Sequence, residues 1–258
     1  MTFAVLNAKY NDHQSNAFDT RNVLVQGNKI TGVGYIPDED EETLTIVDAT
    51  KSVLIPGVAD FVFLPHSDSI SVSLNQLFEY GVQRVVFLPN FAVSHLDSPQ
   101  NIEAFLDIVP VEYQHDVAFA ACATKENGSD ELTEFSALVQ AGAKAIYFDR
   151  IIENQKLFQD ALKFMSLLDC PIIFGPMTSM EKTKAHLNAG ATSFEIGVRG
   201  ESISVEEKNV AYVLSMLDQY YDGSAHFLSI SSAKSLRAIH QFNQSRTTNV
   251  SSGVCPYH

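Results

Sequence analysis

The spacing of histidines, cysteines and carboxylates bounds the chemistry a chain can do, and in this one the spacing is sparse. The eight histidines stand at positions 13, 66, 95, 115, 186, 226, 240 and 258. They form no H-x-H and no H-E-x-x-H, the arrangements that bring paired imidazoles to one face of a strand or helix. Cys122, Cys170 and Cys255 lie far apart without a C-x-x-C, which excludes a zinc ribbon and fits a reducing compartment. Seventeen basic against 31 acidic residues give a formal charge of -14, so the chain lacks the basic surface that tracks phosphates in nucleic acid. Part of the acid excess is the run Asp38-Glu39-Asp40-Glu41-Glu42, read as a solvated loop. No run of about 18 apolar residues and no basic-then-apolar leader occurs, so the expectation is a cytoplasmic chain that neither spans a membrane nor carries a secretion signal.

The elements that would position any site follow from hydrophobic rhythm. With 258 residues, 45% of them hydrophobic, the chain can bury a large core. Residues 1–52 alternate in short apolar bursts, and Gly27-Asn28 between two β-rich runs reads as a tight hairpin turn. Residues 53–258 alternate strand candidates with helix-period segments. The strand candidates are 53–63, 84–88, 117–121, 143–148, 171–174, 194–196, 225–230 and 249–254. Between them, stripes such as Phe158, Leu162 and Met165, or Val210, Val213, Leu214 and Leu217, or Leu236 and Ile239, read as core faces against the sheet. Gly81-Val82, Gly142-Ala143 and Gly190-Ala191 fall where a helix stops and a strand begins. Repeated helix–Gly–strand units fit a (β/α) barrel, and a doubly wound sheet uses the same parts.

Several motifs then align with one family. Val23-Leu24-Val25-Gln26-Gly27-Asn28-Lys29-Ile30-Thr31-Gly32-Val33-Gly34, Val47-Asp48-Ala49 and Leu54-Ile55-Pro56-Gly57-Val58-Ala59-Asp60 resemble the opening of the metal-dependent amidohydrolases. Val85-Val86-Phe87-Leu88-Pro89-Asn90, Thr124-Lys125-Glu126 and Leu138-Val139-Gln140-Ala141-Gly142-Ala143 are similar to dihydroorotases in particular. The resemblance covers the whole chain. It implies an α/β fold: a TIM-type (β/α) barrel, strands one to seven in residues 53–258, preceded by a small β-sandwich segment in 1–52. It also implies zinc-dependent hydrolysis of a cyclic amide in pyrimidine biosynthesis, with metal-activated water as nucleophile.

The same resemblance shows what this chain has lost. The family's H-x-H pair falls on Val62 and Leu64, its strand-five histidine on Gly175 and its strand-six ligand on Ser229, so none of these positions offers an imidazole. His226 survives from H-x-x-H-x-S, three residues from Ser229 and on the other face of a strand. The family's carboxylate-binding arginine aligns with His66, which follows Pro65 and reads on its own as an exposed loop histidine. Asp149 retains the strand-four carboxylate next to Arg150, and Asn90 matches the substrate-contacting asparagine while also suiting a loop cap. Val254-Cys255-Pro256-Tyr257-His258 resembles the end of family strand seven, so a barrel of these residues lacks strand eight and leaves open edges. The expectation is a longer gene product or a second chain that closes the gap.

Three functions are consistent with these residues. The first is a dihydroorotase-like protein without catalytic zinc or other cofactor, kept as a scaffold or regulatory partner in a homo- or hetero-oligomer. Aspartate carbamoyltransferase is the partner implied by resemblance. Valine, leucine and glycine at ligand positions remove isolated polar groups from the barrel mouth and stabilise the core. The second is an altered-site cyclic amidohydrolase using Asp149 and His66 as acid and base and Asn90 as orienter. The third is a module that binds a pyrimidine intermediate.

Overall fold

The computed structural model describes residues 2–12, 17–34, 44–63, 70–89, 95–127, 131–175, 177, 185, 187–245 and 248–254. The chain divides into two units, Met1–Gly57 and Val58–His258. In the first, β1 (Thr2–Asp12), β2 (Ala17–Gln26), β3 (Lys29–Val33) and β4 (Leu44–Asp48) form a sheet in the order β3-β2-β1-β4, and β5 (Val53–Leu54) also pairs with β1. The hairpin at Gly27-Asn28 is present, with Gln26 opposite Lys29. Residues 53–63, expected as one strand, are two: Val53–Leu54 completes the first sheet, and a new strand starts at Val58. Pro56 explains the break, because it has no N–H for a ladder and holds its predecessor in an extended turn conformation.

The second unit is built on β6 (Val58–Phe63), β7 (Val82–Phe87), β8 (Val117–Cys122), β9 (Ala145–Phe148), β10 (Ile172–Phe174), β13 (Ser224–Phe227) and β14 (Asn249–Ser252). These strands are parallel and lie in the order β14-β13-β10-β9-β8-β7-β6, while β11 (Leu187–Asn188) and β12 (Gly200–Glu201) pair separately. A doubly wound sheet reverses its strand order at a switch point; this one proceeds in chain order from edge to edge, the winding of a barrel wall. It is a curled parallel half-barrel. The intervening helices are α1 (Ile70–Glu79), α2 (Pro99–Ile108), α3 (Phe135–Gln140), α4 (Gln155–Met165), α5 (Ala191–Glu195), α6 (Ser204–Tyr220) and α7 (Ala233–Ser245).

Alternation along each strand sorts side chains into two layers. On β9, Ile146 and Phe148 join the large cluster with Phe158, Leu162 and Met165 of α4 and Val210, Val213 and Leu217 of α6. Ala145 and Tyr147 of the same strand face the other way, into a small inner cluster with Leu88, Ala120 and Ile173. The outer cluster includes edge-to-face rings, Phe87 on Phe105 at 5.2 Å and Phe148 on Phe158 at 5.8 Å. Each such fully buried ring stabilises the fold by roughly 1.5–3 kcal/mol. In the α7 stripe, Ile239 is buried while Leu236 is 38% exposed, and Ser235 takes the buried place beside Ile239.

Two local expectations fail together. Gly81 and Gly142 end their segments at φ 87° and 112°, as left-handed caps before a strand. Gly190 instead has an extended φ of 178° and opens α5, where Ser193 Oγ donates to its carbonyl at 2.8 Å and accepts from its N–H at 2.9 Å. Residues 194–196, expected as a strand, therefore fall in and just after that short helix, with Phe194 87% exposed and Ile196 60% exposed. The edge strand β14 has its own device. Asn243 on α7 accepts from Val250 N at 3.0 Å and donates to Val250 O at 2.7 Å, so a side-chain amide occupies the backbone pair that a further strand would use.

Candidate functional site

In a (β/α) barrel wall, side chains just beyond the strand carboxyl ends face the mouth, so Asp149, Gly175 and Ser229 are brought to one end of the sheet by β9, β10 and β13. His66, Asn90 and Leu64 lie outside the described residues, as does the side chain of Val62. Between Asp149 and Gly175 stands a residue not singled out from the sequence. Tyr147 points inward from β9, is 2% exposed, and its hydroxyl donates to Asp149 Oδ1 at 3.2 Å. Its parity with Asp149 on an alternating strand is the signal that could have found it.

Gly175 is where the geometry is tightest. Its N–H donates to Phe148 O at 2.8 Å, which draws the chain against the end of β9. A β-carbon there would lie 2.5 Å from the Asp149 carbonyl oxygen and 2.8 Å from the Tyr147 hydroxyl. Contacts that short do not persist in a packed interior, so any side chain at this position has to displace the Tyr147 ring and shift backbone. The glycine is therefore a packing requirement where the ends of β9 and β10 meet.

The strand-six end is held from outside. Glu206 on α6, 3% exposed, accepts from Ser231 N and Ser232 N at 2.9 Å each, placing a carboxylate at the start of α7. Its neighbour Glu207 accepts from Ser232 Oγ at 2.8 Å and from Lys234 Nζ at 3.0 Å, and these bonds, Lys234 first, hold its carboxyl below the usual range. Ile230 N donates to Gly253 O at 2.9 Å. The loop after β13 that carries Ser229 is thus fixed by buried polar contacts spanning 25 and 26 residues, for which no local sequence signal exists.

Across the inner face, Cys122, Tyr147, Ile173, His226 and Ser251 are register partners on successive strands. Burial pushes the Cys122 thiol up to about 12, with Asp97 and Asp149 adding to it, so it is not a nucleophile at neutral pH. His226 Nδ1 lies 2.8 Å from Ser251 Oγ, and burial holds the imidazole below its ordinary value. Zinc of the kind the resemblance implies takes about four nitrogen, sulfur or carboxylate donors. The described mouth residues do not fit it: Asp149 is bonded to Tyr147, Gly175 has no donor, and Ser229 offers a neutral hydroxyl. Among the described residues no three His, Cys, Asp or Glu side chains converge on a point that could hold a metal, and no helix is long and apolar enough to cross a membrane.

A parallel wall in chain order, helices on its outer face and a preceding small sheet define the class as an α/β protein with an incomplete (β/α) barrel. Solved structures agree on the fold: the L-hydantoinase (dihydropyrimidinase) of Arthrobacter aurescens superposes with TM-score 0.67 at 13% identity, covering 97% of this chain and 58% of that one. The dihydropyrimidinase of Brevibacillus agri NCHU1002 gives 0.68 at 14%, covering 99% and 57%. In sequence, the dihydroorotase of Ehrlichia canis (strain Jake) is 26% identical over 277 residues, spanning all of this chain and 59% of the relative. No family model matches. The chain is similar in sequence to dihydroorotases at low identity and shares its fold with the hydantoinases, and it spans a little under 60% of the length of the curated relatives it matches first.

Proposed function

We propose that this dihydroorotase-like chain does not perform zinc-dependent hydrolysis and serves in the cytoplasm as a scaffold or regulatory partner, with aspartate carbamoyltransferase the first partner to test. One observation carries the reading: the Tyr147 hydroxyl and Asp149 carbonyl fill the space that a side chain at Gly175 would need. Crowding at Gly175 leaves no room there for the imidazole that the resemblance implies, yet the outer core of Phe148, Phe158 and Phe174 stays packed, which keeps the wall itself folded. The test is to measure zinc content and dihydroorotate hydrolysis on the purified chain, then to co-elute it with aspartate carbamoyltransferase in size-exclusion chromatography. The scaffold reading expects no turnover, no stoichiometric zinc and a shared peak; turnover, or separate peaks at all concentrations, rejects it.

A second reading rests on the Tyr147–Asp149 pair. A carboxylate with a phenol at 3.2 Å is a polar couple at the mouth of an otherwise apolar interior, the minimum for metal-free acid–base hydrolysis of a cyclic amide. Turnover that survives chelation and disappears in Asp149→Asn favours this reading over the first.

A further inference from the structure

Toward the amino ends of the strands, the inner face carries a serine beside a histidine. His226 on β13 and Ser251 on β14 are Cα register partners in a parallel pair, so alternation sends both side chains to the same side of the sheet. That side is the inner one, because Ala225 and Phe227, which flank His226, and Val250, which precedes Ser251, all belong to the outer cluster. There His226 Nδ1 lies 2.8 Å from Ser251 Oγ. Both residues line a cavity of about 340 Å³. We propose that Ser251 is a nucleophile with His226 as its base, and that it takes up the acyl group of an ester whose apolar part lies in this cavity.

The pair has the geometry that activation requires, a hydroxyl within hydrogen-bond reach of a basic nitrogen. With the ring proton on Nε2, Nδ1 accepts the Ser251 hydroxyl hydrogen. Burial holds the imidazole below its ordinary value, so it is neutral and able to take a proton at pH 7. His226 is half-buried while Ser251 is exposed, which shields the base and leaves the oxygen open to an incoming carbonyl. The strand beneath the serine is held on both edges. Asn243 bonds the N–H and carbonyl of Val250 on one edge. On the other, Gly253 N donates to Phe227 O at 2.8 Å and Gly253 O accepts from Ile230 N at 2.9 Å. A β-carbon at Gly253 would lie 2.3 Å from Leu228 O, so only glycine lets the end of β14 close onto β13 there.

The cavity selects the acyl donor. Val86, Ala145 and Ile173 give it an apolar wall continuous with the inner cluster, and no Asp or Glu lines it. Lys144 borders it, but the lysine charge acts on the Cys170 thiol of the outer cluster. An uncharged donor with an apolar body therefore enters at the least desolvation cost. In the reaction, the Ser251 oxygen bonds to the ester carbonyl carbon and its proton passes to His226 Nδ1. The bond from that carbon to the leaving oxygen then breaks, and the departing alcohol takes the proton from Nδ1, leaving an acyl-serine and a neutral imidazole. The site uses neither Asp149 nor Gly175, and it stands whether or not the scaffold reading does.

The probe is phenylmethanesulfonyl fluoride, an uncharged electrophile with an apolar ring, incubated with the full chain and followed by intact mass and peptide mapping. Attack by Ser251 forms an oxygen–sulfur bond, releases fluoride and passes the proton through His226 to the buffer. About one adduct per chain is expected, located on Ser251 and formed at least about 100-fold faster than in the urea-unfolded chain or in His226→Gln. The urea comparison needs no variant, so the test holds even where His226→Gln does not fold. Ser251→Ala changes an exposed side chain, and it is expected to take up no adduct at an unchanged thermal midpoint. With p-nitrophenyl butyrate, wild type is expected to release a burst of about one nitrophenol per chain that Ser251→Ala lacks. No adduct on Ser251 in the folded chain overturns the nucleophile. An adduct that forms as fast in urea, or as fast in folded His226→Gln, overturns the base. Labelling of Ser251 without a burst overturns the ester as donor.

Discussion

The two ends of the parallel wall are built on opposite plans. At the carboxyl ends, the Asp149 carbonyl and the Tyr147 hydroxyl crowd Gly175 until a single β-carbon no longer fits. At the amino ends, the same inner face borders a cavity whose lining includes His226, Ser251, Asn249 and Ser224. Both ends share one row of register partners running from Tyr147 through Ile173 to His226 and Ser251. The difference therefore comes from side-chain choice on a common backbone: a long ring reaching towards the mouth on β9, short and polar groups on β13 and β14. Fold relatives hold their chemistry at the carboxyl ends of barrel strands; in this chain the described part of that end is tightly packed around Gly175, and a cavity lies at the other end.

The contrast is broken most severely at Gly175. Gly175→Ala is expected to lower stability by about 2–3 kcal/mol, because its β-carbon meets a carbonyl oxygen and a hydroxyl that are already packed. If the ring is what closes the mouth, Tyr147→Phe combined with Gly175→Ala recovers about 1 kcal/mol relative to additivity, read from urea denaturation of the four-protein cycle. Strict additivity would mean that the hydroxyl plays no part in closing it.

Next in size is Glu206→Ala, which strands one buried and one half-buried N–H at the start of α7 and is expected to cost about 2 kcal/mol in the same assay. Glu206→Gln, which keeps an acceptor oxygen, is expected to restore about half. Asn243→Ala uncovers the Val250 backbone pair; a loss of about 1–2 kcal/mol and a concentration-dependent rise in self-association by light scattering are expected. An unchanged sedimentation profile would show that the amide is not what protects this edge.

The smallest effect belongs to the open end. His226 is held below its ordinary value of 6.5 by burial, so the unfolded chain binds protons at a pH where the folded one does not. Its contribution is full above about pH 6.5 and is lost as pH falls through the folded value. The urea midpoint of wild type relative to His226→Gln is accordingly expected to drop between about pH 7.5 and about pH 5.5. A gap that stays constant over that range would mean that the imidazole is not desolvated in the fold.

Much of the architecture was readable because strand alternation and helix period are local. Phe158, Leu162 and Met165 lie on one helical face and are all buried. Gly142 also behaves as its position in the sequence implies. Gly190 does not, although it too precedes an alanine, because Ser193 three residues later supplies a hydroxyl that starts a helix instead of ending one. Phe194 and Ile196 misled for a related reason: apolar residues signal a strand only if something buries them, and these are exposed. At the site, Gly175 and Asp149 could be placed at the strand ends from motif counting, but the meaning of Gly175 lay in Tyr147, a neighbour in space on another strand. The Glu206 clamp was not legible at all, since its partners lie 25 and 26 residues away.

The sealed mouth is tested most directly by metal content. The chain is expressed in zinc-supplemented medium, purified without chelator, and its zinc is quantified against protein by mass spectrometry. The account expects less than about 0.1 zinc per chain and no change in thermal midpoint on adding zinc, because a metal that the native state does not bind leaves its stability unchanged. About one tightly held zinc per chain, with stabilisation on zinc addition that Asp149→Asn abolishes, would contradict it.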